Sequence, residues 1–292
     1  MKKKILIVSS KGLISDQINE LVSKNSDIEI RYCADDVDSV KNNINGINAL
    51  INCPRNIFSN DILAKIKSTL EWVHIGGAGI EEYLFPEFVE SDVLLTNGKI
   101  IQGPEVSDHA IALILSITRN LNYVAKNEIS NMPRPIELRS KTALILGMGG
   151  IGNLIAEKLS SFGVNIIGVD QKLVPMNSFI KEFYYQNDIE KVISKADIVV
   201  SAVPSTQSSN KIFSANLFKK MKDGVIFINI SRGKIVDTDD LLQYLKKDKF
   251  LGIGIDVTDP EPLPETHELR NDVRVIITPH IAGPSDYNRK RA

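Results

Sequence analysis

Three polar side chains follow three apolar runs in the last third of the sequence. They are Arg232 after residues 225–230, Glu261 after 252–257 and His280 after 273–278. A guanidinium binds a carboxylate through two parallel hydrogen bonds and polarises a neighbouring carbonyl group. An imidazole exchanges a proton near neutral pH, and a carboxylate beside it holds the ring in place. These residue types together suit the reduction of a 2-oxo acid, in which a hydride and a proton are added to a carbonyl group.

Each of the three residues also has an ordinary structural interpretation. Arg232 could be a solvated arginine at a strand end, Glu261 a solvated acid in a proline-rich loop, and His280 a structural histidine. Their occurrence at three strand ends, together with a dinucleotide-binding motif, favours the functional interpretation. The other histidines are weaker candidates by their surroundings: His267 in a charged loop, His109 on a long helix and His74 among apolar neighbours.

The dinucleotide-binding motif is the glycine-rich stretch that begins at Gly147. The apolar run 142–146 predicts a strand, and it leads into Gly147-Met148-Gly149-Gly150-Ile151-Gly152, which matches G-x-G-x-x-G. In such a motif Gly147 allows the tight turn, Gly149 lets the backbone approach a pyrophosphate, and Gly152 lets the helix pack close to its strand. The unpaired N–H groups of the following helix, residues 151–162, then face the phosphates. A glycine-rich turn without a ligand is the alternative.

An acidic residue ends the next predicted strand and bears on the choice of cofactor. Asp170 closes the run 164–170, eighteen residues after Gly152. A carboxylate there accepts hydrogen bonds from the ribose hydroxyls and repels a 2′-phosphate, so Asp170 favours NAD over NADP. Lys172 leaves NADP open, because a cation nearby could pair with a 2′-phosphate.

Composition and charge exclude several classes of protein. A length of 292 residues suits two domains, and a net charge of −1 gives no reason to expect nucleic acid or an anionic membrane as partner. Cys33 and Cys53 lie in apolar runs, as free thiols do in a reducing compartment, and no cluster of residues suggests a metal. The apolar run 5–8 is too short for a signal peptide, and 110–117 is too short for a membrane span. We therefore expect a cytoplasmic protein.

Strands and helices alternate along the chain, which predicts parallel sheets with helices on both faces. Strands are predicted at 4–8, 28–33, 49–53, 72–75, 93–95, 142–146, 164–170, 197–204, 225–230, 252–257 and 273–278. Helices are predicted at 14–21 (capped by Ser15 or Asp16), 37–44, 59–70, 105–121, 151–162, 189–196, 213–221 and 237–247. Residues 127–140 indicate a surface loop or an oligomer contact, and 171–188 show no regular pattern.

Several motifs in this order resemble those of the D-isomer-specific 2-hydroxyacid dehydrogenases. They are Lys141-Thr142 before the glycine motif, residues 228–237, residues 254–264 and residues 278–283. The resemblance implies an α/β protein of two doubly wound parallel-sheet domains. One is a flavodoxin-like substrate domain of residues 1–99 plus 284–292, and the other a Rossmann NAD-binding domain of residues 100–283. It also implies an NAD-dependent dehydrogenase acting on a small D-2-hydroxy or 2-oxo acid, and a homodimer.

The resemblance assigns roles to individual residues. By it, Arg232, Glu261 and His280 are catalytic, and the backbone N–H groups of Ala78 and Gly79 hold the substrate carboxylate. Together with the glycines of the motif, the resemblance implies a set of cofactor contacts, in which Asp256 lies near the nicotinamide amide. The full set is Gly147, Gly149, Gly150, Ile151, Gly152, Asp170, Val203, Pro204, Ile230, Ser231 and Asp256. Arg55 is a further candidate for substrate binding because it follows the predicted strand 49–53; a solvated loop arginine is the alternative.

The sequence departs from the family pattern at Gly150, where an arginine often stands near the pyrophosphate, and at Asp108, which replaces a glutamate. The substrate is open: glyoxylate or hydroxypyruvate is our first expectation, and a longer apolar 2-oxo acid the next. Some relatives are nucleotide-sensing binding proteins or corepressors, which is the alternative from another functional class. Relatives that oxidise formate carry a glutamine as partner of the histidine, so Glu261 disfavours that activity.

Overall fold

A computed structural model describes residues 2–9, 20, 24–99, 101–174 and 177–286. These residues fall into two compact units, one up to Lys99 and the other from residue 101 onward. The helix predicted at 14–21, with its cap at Ser15 or Asp16, lies outside the described residues. Residues 284–286 belong with the second unit, and the rest of the predicted tail, 287–292, lies outside the description.

The first unit is built around a five-stranded sheet. Its strands are β1 (Lys3–Val8), β2 (Ile28–Cys33), β3 (Ala49–Ile51), β4 (Trp72–Ile75) and β5 (Leu94–Asn97), and its described helices are α1 (Val37–Asn43), α2 (Asn60–Ile66) and α3 (Pro86–Val89). All pairings are parallel and the strand order is β2-β1-β3-β4-β5. This is the flavodoxin-like order 2-1-3-4-5, so the fold expected for this domain is confirmed.

The second unit contains a seven-stranded sheet. Its strands are β6 (Thr142–Leu146), β7 (Asn165–Asp170), β8 (Ile180–Tyr185), β9 (Ile198–Ser201), β10 (Val225–Asn229), β11 (Phe250–Ile255) and β12 (Val275–Ile277). Its described helices are α4 (Gly103–Thr118), α5 (Leu121–Ala125), α6 (Gly150–Ser161), α7 (Ile189–Val192), α8 (Ala215–Lys220), α9 (Thr238–Lys246) and α10 (Glu268–Asn271). The parallel order β12-β11-β10-β9-β6-β7-β8 is the Rossmann order with one added strand. The predicted Rossmann fold is confirmed.

Both faces of the second sheet are buried, which explains its continuous apolar strands. Along β6, Leu144 and Leu146 pack into one core cluster while Ala143 and Ile145 pack into another. All four side chains are fully buried. A parallel sheet covered by helices on both faces requires such runs, because successive side chains point to opposite faces.

Strand β8 was not predicted, and its position explains why. It lies at the edge of the sheet beside β7, and only its first residue, Ile180, is buried. Charged Lys181 and Glu182 follow, so the strand shows no apolar run. An edge strand pairs on one side and does not need two buried faces.

Helix α4 ends earlier than the predicted helix 105–121. Asn120 has a φ of 57°, in the left-handed region, and the separate helix α5 begins at Leu121. Asparagine is one of the few residues other than glycine that adopts this conformation readily. No helix in the described parts of the chain has both the length and the apolar character to cross a membrane.

Candidate active site

One row of residues crosses the second sheet in register and marks where the candidate site begins. The row consists of Val169 on β7, Leu146 on β6, Ser201 on β9, Asn229 on β10, Ile255 on β11 and Ile277 on β12. Gly147 and Asp170 directly follow this row. Arg232, Asp256 and His280 follow it within three residues. Since neighbouring strands are about 4.8 Å apart, these predicted residues lie along one edge of the sheet, the carboxyl edge, where open α/β sheets bind ligands.

The glycine loop has two positions that tolerate no side chain and two that leave open space. Gly147 has a φ of 97°, and a Cβ on Gly152 would lie 1.9 Å from the carbonyl oxygen of Gly147. A Cβ on Gly149 or Gly150 would meet no protein atom within 4 Å. The first pair is therefore required by the turn itself. The second pair forms an exposed cradle at the start of α6, and this cradle fits the pyrophosphate of a dinucleotide.

The side chains of Asn153 and Asp170 hold the backbone of this loop. Nδ2 of Asn153 donates to the carbonyl oxygens of Met148 at 2.6 Å and Gly149 at 3.1 Å. Asp170 accepts from the N–H of Met148 at 2.7 Å through Oδ2 and from the N–H of Lys172 at 3.2 Å through Oδ1. The acid at the end of β7 therefore fixes the glycine loop, and its predicted contact with a ribose stays a prediction.

The remaining predicted cofactor contacts differ in exposure. Pro204 is exposed and Ile151 is half-buried. Val203, Ile230 and Ser231 are 9%, 7% and 6% exposed. Contact between these residues and a cofactor stays a prediction.

The loop that carries Arg232 is held by a buried hydrogen-bond chain at the ends of β9 and β10. The hydroxyl of Ser231 donates to Oδ1 of Asn229 at 2.6 Å and lies 2.8 Å from the hydroxyl of Ser201. Nδ2 of Asn229 donates to the carbonyl oxygen of Arg232 at 3.0 Å. A Cβ on the next residue, Gly233, would lie 1.9 Å from the carbonyl oxygen of Thr258. Only glycine allows this approach, which places the Arg232 loop directly against the loop that leads to Glu261.

Glu261 and His280 form a hydrogen-bonded pair. Nδ1 of His280 lies 2.6 Å from Oε1 of Glu261, and the two side chains are 51% and 41% exposed. A carboxylate only accepts hydrogen bonds, so Nδ1 carries the proton and Nε2 is the ring nitrogen left for a reacting group. His280 has a φ of 54°, in the left-handed region. The predicted pairing of acid and imidazole is therefore present, and the catalytic roles of Glu261 and His280 stay predictions.

Asp256 is buried beneath the segment that carries His280. It is 2% exposed. Its Oδ1 accepts from the hydroxyl of Thr278 at 2.6 Å and from the N–H of Ile281 at 2.9 Å, and its Oδ2 accepts from the N–H of Ala282 at 3.0 Å. The observed contacts give Asp256 a role in shaping the turn around His280. Its predicted contact with the nicotinamide amide stays a prediction.

His109 belongs to the same network, although its surroundings in the sequence alone make it a weak candidate. Its Nε2 lies 2.9 Å from Oγ1 of Thr278 and 3.5 Å from Oδ1 of Asp256. His109 and Thr278 are 169 residues apart in the sequence, so no local motif joins them. The apolar spacing of α4 does indicate that His109 faces the core. Val106 lies three residues before His109 and Leu113 four residues after it, and both are buried. His109 is thus a polar residue on a buried helix face.

In the first unit, Ala78 and Gly79 lie in a loop with a defined orientation. The carbonyl oxygen of Gly77 accepts from the N–H of Gly98 at 2.9 Å, and that of Ala78 accepts from Nδ2 of Asn97 at 2.6 Å. In a trans peptide the N–H points opposite to the C=O. The N–H groups of Ala78 and Gly79 therefore point away from residues 97 and 98, in two adjacent peptides, as expected for a pair that binds an anion.

Arg55 is engaged within the first unit. Its Nε donates to the carbonyl oxygen of Glu82 and its Nη1 to that of Phe58 at 2.8 Å. Its guanidinium carbon lies 4.7 Å from the centre of the Phe85 ring. These contacts give Arg55 a structural role that joins two loops, and substrate binding by it stays a prediction.

Comparison with known proteins assigns the second unit to a known protein family. The model of the family "D-isomer specific 2-hydroxyacid dehydrogenase, NAD binding domain" matches residues 109–282. The matched region contains the glycine loop, Arg232, Glu261 and His280.

Relatives and solved structures extend the similarity to most of the chain. The human glyoxylate reductase/hydroxypyruvate reductase is 29% identical over 78% of this chain and 72% of its own. The D-lactate dehydrogenase of Streptococcus pyogenes is 27% identical over 72% of this chain and 68% of its own. The crystal structure of a D-isomer specific 2-hydroxyacid dehydrogenase family protein from Aeromonas salmonicida covers 99% of this chain and 93% of its own, with a TM-score of 0.81 and 26% identity.

Proposed function

Because the chain belongs to the D-isomer specific 2-hydroxyacid dehydrogenase family, its chemistry is the NAD-dependent interconversion of 2-hydroxy and 2-oxo acids, and we propose that Arg232, Glu261 and His280 carry it out. The observation that supports this assignment best is the 2.6 Å pair between His280 and Glu261. The pair is half-exposed, so a substrate can reach it.

The proposed chemistry at His280 is general acid catalysis. Nδ1 donates to Glu261, so Nε2 presents the second proton of the imidazolium to the substrate oxygen. The carboxylate of Glu261 fixes the ring and offsets its positive charge while Nε2 is protonated. When the acid is oxidised in the reverse direction, neutral Nε2 accepts the hydroxyl proton.

Arg232 supplies the proposed electrostatic contribution. Its guanidinium binds the substrate carboxylate and stabilises the negative charge that grows on the carbonyl oxygen. Bound NADH supplies the hydride for C2. The exposed cradle at Gly149 and Gly150 holds the pyrophosphate with backbone N–H groups, and Asp170 recognises the ribose.

We propose that the N–H groups of Ala78 and Gly79 bind the substrate carboxylate. Their orientation, opposite to two carbonyl groups that are already hydrogen-bonded, supports this role. Paired backbone N–H groups bind anions without a charged side chain. Arg55 is a further candidate for substrate binding, and its guanidinium donates to the loop carbonyl groups of Glu82 and Phe58.

A small 2-oxo acid such as glyoxylate or hydroxypyruvate is the proposed substrate. The human relative named for these two substrates supports it. The relative named for D-lactate makes pyruvate, the corresponding 2-oxo acid, the first alternative substrate. A longer apolar 2-oxo acid is the next alternative.

The proposed function is tested by following NADH and NADPH absorbance separately against glyoxylate, hydroxypyruvate, pyruvate and 2-oxoisocaproate. We expect NADH-dependent turnover with the highest kcat/KM for one of the first two. A higher kcat/KM for pyruvate or 2-oxoisocaproate would refute the substrate assignment alone. No turnover with any of the four would favour the nucleotide-sensing alternative.

We also propose that the chain forms a homodimer in the cytoplasm. Leu121, Val124 and Ile129 are 54%, 55% and 57% exposed within nine residues of one segment, and such a patch is typical of a contact surface. The two free cysteines, Cys33 and Cys53, suit a reducing compartment such as the cytoplasm. Sedimentation would test the dimer, and a monomer at all concentrations would refute it; cell fractionation would test the compartment.

A further inference from the structure

Asp256 holds the turn that presents His280 through four hydrogen bonds. The backbone N–H of His280 donates to the carbonyl oxygen of Asp256 at 2.9 Å. The two carboxylate oxygens of Asp256 accept from Thr278, Ile281 and Ala282 at 2.6 to 3.0 Å. His280 is therefore placed by hydrogen bonds to the backbone and side chain of Asp256, the residue that directly follows β11.

The hydrogen bond between Thr278 and Asp256 has a fixed direction. A carboxylate cannot donate, so the single hydroxyl proton of Thr278 points to Oδ1 of Asp256. The hydroxyl oxygen can then only accept from Nε2 of His109, which lies 2.9 Å away. His109 must therefore carry its proton on Nε2. His280 shows the opposite arrangement, with its proton on Nδ1 toward Glu261.

We propose that His109 and Thr278 are positioning residues for His280. Nε2–H of His109 donates to the hydroxyl of Thr278, this hydroxyl donates to Asp256, and Asp256 holds the turn that places the imidazole of His280. Asp256 is 2% exposed and His109 is 18% exposed, and Thr278 is half-buried. Loss of the His109 donor would leave the hydroxyl of Thr278 held by Asp256 alone and would loosen the turn.

The proposal rests on the proposed function, because it assigns a positioning role only if His280 is the catalytic acid. The positioning role can be measured separately from the catalytic role of His280. A small misplacement of a catalytic group lowers turnover, and a shift of about 1 Å costs about a hundredfold. Most of the predicted NADH contacts, among them the glycine loop and Asp170, lie outside the relay, so the Kd for NADH should change much less than kcat when the relay is broken.

Two pairs of variants test the relay by kinetics. His109→Phe removes the donor and keeps an aromatic ring, while His109→Gln places an N–H near the position of Nε2. Thr278→Val removes the hydroxyl and keeps the shape, while Thr278→Ser keeps the hydroxyl. We expect H109F and T278V to lower kcat by about tenfold to a hundredfold, with a much smaller change in the Kd for NADH. H109Q and T278S should recover most of the loss.

Two kinetic results would overturn the proposal. One is a kcat of H109F within about twofold of the wild type, since a positioning contact affects turnover by more than that. The other is an equal loss of kcat in H109F and H109Q, which would mean that the ring packs but does not position through its donor. Thermal unfolding of all four variants distinguishes a loss of kcat from a loss of folded protein.

Imidazole nitrogen NMR tests the relay without any activity. The chain has 4 histidines, so the long-range ¹H–¹⁵N spectrum is simple, and H109F identifies the signals of His109. At a pH where the rings are neutral we expect the Nε2–H tautomer for His109 and the Nδ1–H tautomer for His280. An Nδ1–H tautomer at His109 would overturn the relay. Absence of wild-type turnover, with both tautomers as expected, would instead overturn the proposed function.

Discussion

Oε1 of Glu261 and Nδ1 of His280 lie 2.6 Å apart at the carboxyl edge of the second sheet. The two residues come from different loops, one after β11 and one after β12, which are neighbouring strands. The close approach of Gly233 to Thr258 brings the loop of Arg232 against the same region. The sheet thus supplies the geometry, and each side chain needs only a short loop to reach the site.

Replacing His280 by Ala should remove the general acid and leave the cofactor site intact. We expect kcat to fall by about 10²–10⁴, with an unchanged Kd for NADH in a fluorescence titration. His267→Ala is the matched control, because that histidine caps α10 and has no predicted catalytic or cofactor role. Full reductase activity in H280A would refute the assignment.

Replacing Glu261 by Gln should keep an oxygen near Nδ1 but remove the negative charge. The imidazolium then loses its counter-charge, and the amide can also turn its NH₂ group toward the ring. We expect kcat to fall by about tenfold to a hundredfold, less than in H280A. Stopped-flow single-turnover rates measure this directly. An unchanged rate would show that Glu261 neither orients nor stabilises the ring.

Two glycine substitutions should separate cofactor binding from folding. Gly149→Ala adds a Cβ that meets no protein atom within 4 Å, so the fold should persist while the pyrophosphate loses its place. We expect the Kd for NADH to rise at least about tenfold, as for a clash in a close backbone approach. Gly152→Ala would put a Cβ 1.9 Å from the oxygen of Gly147 and should lower the Tm instead. Wild-type NADH affinity in G149A would contradict the cradle.

Replacing Asp170 by Ala should reduce the preference for NADH. The variant loses a charged hydrogen-bond acceptor for the ribose and no longer repels a 2′-phosphate. We expect the ratio of kcat/KM for NADH to that for NADPH to fall by about tenfold to a hundredfold. Lys172→Ala serves as the comparison, since loss of NADPH use in that variant would mean that Lys172 pairs with the phosphate. A wild-type preference for NADPH would refute the role of Asp170.

Cys53 should make stability depend on pH in the alkaline range. Burial raises the pKa of its thiol to about 12 from the usual 9.0, and the side chain is 2% exposed. The native state therefore holds this proton more tightly than the unfolded chain does. Its contribution to stability is complete below pH 9 and is lost as the pH rises toward 12.

Urea unfolding at pH 8 and pH 10.5 measures this effect. The free energy of unfolding should fall more between these values for the wild type than for Cys53→Ala. Equal changes in the two proteins would show that Cys53 is not the group responsible.

The elements that form the two sheets could be predicted because buried parallel strands leave long apolar runs. Strand β6 and its neighbours are of this kind. Strand β8 could not be predicted, since an edge strand with Lys181 and Glu182 near its start has no such run. The break after Thr118 depends on one left-handed asparagine, Asn120, and the apolar pattern continues across it.

The candidate site shows the same division between local and distant information. Arg232, Glu261 and His280 could be found because each follows a strand in the sequence. The contact between His109 and Thr278 could not, because it joins residues 169 positions apart through packing of a helix on the sheet. Arg55 was a plausible ligand by its position, but only the structure shows that its guanidinium is bound to loop carbonyl groups.

The left-handed backbone of His280 means that catalysis and folding make opposite demands on this position. A non-glycine residue with a φ of 54° costs about 1–2 kcal/mol relative to an ordinary conformation. Glycine would adopt the same backbone without that cost, and it would have no proton to give. A selection for thermal stability alone should therefore tend to replace this histidine, whereas a selection for turnover should retain it.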